Sequence, residues 1–113
     1  MANARGTVHL VIGGKKRGFK ASFENIVAIE QTTGKAIFRL AQDAATMEMS
    51  LAEMTQILHS SMMGTNVPDI EKFGPQVFKL GIVNVMPTVV EILTSAISTG
   101  EEETGNEEGA ENE

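Results

Sequence analysis

The sequence predicts an α+β fold: an N-terminal β-hairpin packed on four or five short amphipathic helices, followed by a disordered acidic C-terminal tail. Three observations predict it. Apolar residues alternate from Thr7 to Ile12, and glycines come next, where a hairpin must turn. From Ser22 onward the apolar residues recur at helical spacing instead. Past Gly100 they all but vanish.

Val8, Leu10 and Ile12 fall on one side of the first strand, and Val11 makes the other side apolar too. The stretch from Gly13 to Gly18 supplies the turn, since glycine tolerates the positive φ that hairpin loops need. Phe19, Lys20 and Ala21 return as the second strand. Ser22 is placed to cap a helix over Phe23–Thr33, which Gly34 ends. A two-stranded hairpin is marginal alone, so it must pack on the helices that come after it in the chain.

On that first helix Phe23, Ile26, Val27 and Ile29 share one broad arc. Glu30 lands inside the arc, where a carboxylate needs a partner or a place at the rim. A hairpin base such as Lys20 could pair with it, or the group could be kept for a binding partner.

Lys35 to Ala45 is the second helix, with Ile37, Leu40 and Ala44 on its apolar side and Phe38 widening it. After a connector, Ser50 and Glu53 form a capping-box pattern that opens a third helix running to about Met63 and stopping at Gly64. Asp69 caps a fourth through Leu80, in which Gly74-Pro75 predicts a kink or break, and Gly81 ends it. The last helix runs from Val85 to Thr99, with Pro87 near its start, where a missing donor does no harm.

At 113 residues the chain forms one domain, over residues 1–100, with 101–113 as tail. The formal charge of −6 is uneven: seven of the fifteen acids lie after Gly100, which leaves eight acids against nine bases in the body. The tail is either a solubilising end or an electrostatic arm for a basic partner. The near-neutral body argues against a nucleic-acid binder, and Lys15, Lys16 and Arg17 at the hairpin tip read first as a solvated turn. Absence of cysteine fits a reducing compartment, no apolar run approaches the roughly 18 residues a membrane span needs, and the first residues do not resemble a secretory signal. A soluble cytoplasmic protein with no membrane partner is expected.

Nothing points to catalysis or a cofactor. His9 and His59 are fifty residues apart with no cysteine, a poor basis for a metal site. Gly13-Gly14-Lys15 and Gly34-Lys35 lack the remaining positions of a phosphate loop. Five of the seven methionines cluster between Met47 and Met63. Met54 and Met62 belong to the third helix's apolar stripe, whereas Met47, Met49 and Met63 do not. These three are either filler or an adaptable partner-binding surface, because methionine repacks easily against varied neighbours.

The order Gly6-Thr7-Val8-His9-Leu10-Val11-Ile12-Gly13-Gly14-Lys15, then Glu30 four residues before Gly34, then Ser50-Leu51-Ala52-Glu53-Met54, then Gly81 with Val89 to Ile97, resembles the gene-transfer-agent family of phage tail proteins. The resemblance covers about residues 6–99; Gly74-Pro75 and the acidic tail depart from it. It implies a small, non-catalytic tail assembly chaperone that binds the tape-measure protein, and possibly the tail-tube protein, and keeps it soluble. Such a protein would be absent from the finished particle and could be a homo-oligomer. The alternatives are a structural tail component (a tube or terminator subunit), for which more strand is expected, and a small DNA-binding regulator.

Overall fold

The computed structural model describes residues 7–104, with side chains as far as Ser98. An antiparallel hairpin, β1 (Thr7–Ile12) and β2 (Lys15–Lys20), leads into five helices: α1 (Phe23–Thr33), α2 (Ile37–Ala45), α3 (Leu51–Ser61), α4 (Ile70–Leu80) and α5 (Ile82–Thr104). The expected α+β class holds, with two strands before Ser22 and helix thereafter.

The hairpin turn is tighter than expected. Ile12 pairs with Lys15, so Gly13 and Gly14 alone make the loop, with φ of 63° and 79°. Two consecutive left-handed residues match the twist of the flanking strands, and glycine adopts them without a Cβ penalty. The second strand therefore begins at Lys15, four residues before the expected Phe19. Val8, Ile12 and Phe19 turn inward and are buried, while Val11 faces out. The outer edge of β2 is covered by the chain leaving α3: Met62 bridges to Phe19, and the Met63 N–H donates to the Gly18 carbonyl at 2.8 Å. That pairing ends α3 at Ser61, short of Met63, and draws Met62 into an extended backbone.

Ser22 caps α1 by accepting from the Asn25 N–H at 3.2 Å, and Gly34 closes the helix at φ 73°. Only Ile29 of the expected arc is fully buried; Ile26 and Val27 are half-buried and Phe23 is 79% exposed. Helical spacing selects the side that turns inward, but not how far along the helix the core extends. Glu30 does not pair with Lys20. Its Oε2 accepts from the Ile37 N–H at 3.0 Å, capping α2 where Ala36 has no side chain able to do so. The capping box of α3 is complete, with Ser50 Oγ and Glu53 Oε1 each accepting from the other's backbone N–H.

Helix α4 runs unbroken through Pro75, so of the expected kink or break no break occurs, and α5 begins at Ile82, which places Pro87 inside it. Each proline is the sixth residue of its helix. Each deprives a carbonyl one turn earlier, at Glu71 or Val83, and both of those residues are exposed to water, which can supply the missing donor. Gly74, having no Cβ, also eases the clash with the proline ring after it. At Gly81, φ 104°, the chain bends by 115° between the two helices. The Gly81 carbonyl accepts from Val85, while Asn84 Nδ2 donates back to Leu80.

The core gathers Phe19, Ile29, Leu40, Ile57, Phe73 and Ile92, one from each of six elements, all with no exposed surface. Helix α5 lies across the others, meeting α2, α3, α4 and β1. Its backbone passes the expected end at Thr99, and the disordered tail expected over 101–113 lies, from residue 105 on, outside the described residues. No single described helix is long and apolar enough to cross a membrane.

Candidate interaction surfaces

Where α1, α2 and α3 meet, charge is used to hold the fold. Lys35 Nζ lies 2.9 Å from Asp43 Oδ2 and 2.7 Å from Glu53 Oε2, and Arg39 Nε lies 3.2 Å from Asp43 Oδ1. The hydrogen bond from Lys35 holds the Asp43 carboxyl below its ordinary range, and the same lysine lowers Glu53. Hydrogen bonds to Glu53 and then Asp43 raise Lys35 in turn. His59 is structural as well. Its Nε2 donates to the Pro68 carbonyl at 2.8 Å, because a carbonyl can only accept, and its ring leans on Phe73 at 6.1 Å between centroids. His9 stands exposed on β1, away from it in sequence and in element.

The methionines expected to form a partner surface are separated. Met49 is buried in the core, Met47 is 70% exposed and Met63 is 43% exposed. Met47 and Met49 precede α3 while Met63 lies beyond its end, so the helix, about 16 Å long, stands between them. Met47 also takes a left-handed φ of 61°, unusual for a side chain of its size.

Two other surfaces are open. Between α3 and α4 lies a groove of about 560 Å³, floored by Leu51, Thr55 and Gly74 and walled by Phe78, with no charged residue lining it. Phe78 is 67% exposed there. On α4 it is Phe73 and Val77 that turn inward and are buried, leaving Phe78 on the open side. The second surface is a cleft of about 590 Å³ between the hairpin tip and the end of α4, lined by Val11, Gly13, Gly14, Gln76 and Lys79. The shielded Gln76 Oε1 has no hydrogen-bond partner there among the described residues. Close by, the Arg17 Nη1 donates to the Asn66 carbonyl at 2.9 Å, which ties β2 to the loop before α4. Lys15 and Lys16 are exposed at the tip.

A family model described as phage tail tube protein, GTA-gp10, matches residues 5–99. No curated protein and no solved structure matches. The match corrects the expectation of a tape-measure chaperone, because the matched family is described by the structural part it forms. Absence from the finished particle, which depended on the chaperone reading, loses its basis with it. A low strand content does not set the chain apart from the family so described, because the match spans a domain with one hairpin and five helices.

Proposed function

Since the chain belongs to the phage tail tube protein family, GTA-gp10, we propose that it is a structural subunit of a phage or gene-transfer-agent tail and stays in the assembled particle. The observation that carries this reading is the family match, which spans the whole folded body rather than a short motif. The surface supports it. Phe23, Phe38, Phe78 and Val83 are each about two-thirds exposed or more, and they stand on four different helices. Apolar side chains facing water on several sides suit a subunit that meets several neighbours, because each contact removes apolar surface from solvent. The partners are other tail proteins, with further copies of this chain among them. The work is done by packing, so the body must be rigid; the glycine stops, the capping box and the Lys35 cluster fix its corners.

Immunogold labelling of purified particles, with an antibody raised against this chain, tests the reading. Label along or at the end of the tail is expected. Label found only in unassembled lysate fractions would overturn it.

A further inference from the structure

The two ends of the sequence carry opposite charge. The hairpin holds Lys15, Lys16, Arg17 and Lys20 and no acid. Lys79 lines the cleft beside its tip, and no carboxylate does. Late in the sequence, the segment 101–113 has seven glutamates and no base. Lys35 and Arg39 are already held by Asp43 and Glu53, and Arg17 by the Asn66 carbonyl, while Lys15, Lys16 and Lys20 on the hairpin and Lys72 and Lys79 on α4 are exposed.

The hairpin tip sits against the end of α4: a Cβ placed on Gly13 would lie 2.5 Å from Gln76 Oε1. Helix α5 starts beyond Gly81 at that same corner, and its 23 residues carry the chain about 33 Å away. The long axis of the molecule is 47 Å. The described part of α5 therefore carries the chain away from the hairpin corner, not back to it.

We propose that the acidic segment 101–113 of one copy docks on the basic hairpin tip and α4 cleft of a second copy, joining copies head to tail. The inference rests on the structural-subunit reading, which it extends to the contact between copies. Such an interface is heterologous: each copy offers one acidic end and one basic end, so association continues until a ring closes or a filament grows. Val11, exposed at the cleft, gives the incoming chain an apolar surface to lie on, while the lysines select its sign.

Sedimentation velocity on the full chain tests it, comparing about 0.05 M with about 0.5 M salt, where screening shortens the reach of exposed charges. Wild type should grow in mass with concentration at low salt and return towards monomer at high salt. A Lys15→Glu/Lys16→Glu chain, and a chain with the seven glutamates of 101–113 changed to Gln, should each stay monomeric, with affinity at least about tenfold weaker. Mixed together, these two variants retain one good acidic end and one good basic end, so they should form a dimer and nothing larger. Lys15→Arg/Lys16→Arg keeps the charge and should associate as wild type, which controls for damage to the hairpin. A wild type that is monomeric at every salt, variants that associate like wild type, or a mixture that stays monomeric would each overturn the proposal. Particle labelling does not depend on association in dilute solution, so the subunit reading can stand if this contact fails.

Discussion

Met47 and Met49 lie two residues apart and should respond oppositely to the same substitution. Met49 is 7% exposed and belongs to the core, whereas Met47 is 70% exposed. Truncating a buried methionine to alanine removes its transfer energy and leaves a cavity, a loss of about 2–5 kcal/mol. Met49 sits at the entry to α3 rather than at the centre, so about 3 kcal/mol is a reasonable value. For a body of this size each kcal/mol moves the melting temperature by about 4–8 °C, so Met49→Ala should lower Tm by about 12–24 °C. Met47→Ala should change stability by less than about 0.5 kcal/mol. Met47→Gly relieves a left-handed φ worth about 1 kcal/mol but loosens the unfolded chain by a similar amount, so it too should be nearly neutral. Thermal melts monitored by circular dichroism read all three. A Met49→Ala melt within about 2 °C of wild type would refute the packing argument. The contrast also bears on function, since replacing Met47, Met49 and Met63 together would destabilise the domain through Met49 and mimic a loss of binding.

The same geometry sets other outcomes. Asp43 and Glu53 are lowered from ordinary values of 3.8 and 4.5, so their stabilisation is present above about 4.5 and drains away as pH falls through their native values. Lys35 is raised from 10.5, so its share is present below that pH and is lost only as pH climbs past its native value. Urea midpoints measured from acid to neutral pH should therefore fall less steeply for Lys35→Met than for wild type; parallel curves would dismiss the cluster as a source of acid sensitivity. Gly13→Ala should destabilise more than Gly14→Ala, because both have positive φ but only the first Cβ meets Gln76, and equal losses would show that Gln76 moves aside freely. Ser50→Ala should cost about 1 kcal/mol through loss of the cap, read as a lower urea midpoint; an unchanged midpoint would mean that the capping box is idle.

Local chemistry made much of the fold readable. Ser22, Ser50 and Gly34 act at short range, on donors and acceptors within one turn, so spacing alone reveals their roles. The features that escaped depend on contacts between elements rather than within one turn. The length of β2 was hidden because Lys15 and Lys16 carry no strand signature, and it is the pairing with Val11 and Ile12 that makes them strand. Glu30 looked like a misplaced core carboxylate until Ile37, seven residues on, supplied its donor. Met62 fitted a helical stripe, yet pairing with Phe19 drew it out of the helix. The exposed surfaces were the least legible, since Phe23 and Phe38 fall on the same apolar arcs as buried residues and only the extent of the opposing elements distinguishes them. The family resemblance reached the right kind of particle, but its reading as a chaperone rested on motifs that describe the fold and not the role.

The copy number of this chain in finished particles tests the structural-subunit account most directly. Quantitative mass spectrometry across density-gradient fractions, with isotope-labelled peptides of this chain and of an abundant tail protein as standards, would measure it. The account predicts a fixed ratio, at several copies per particle, that tracks intact tails through the gradient. A chain abundant in the lysate but absent from the particle peak would contradict it.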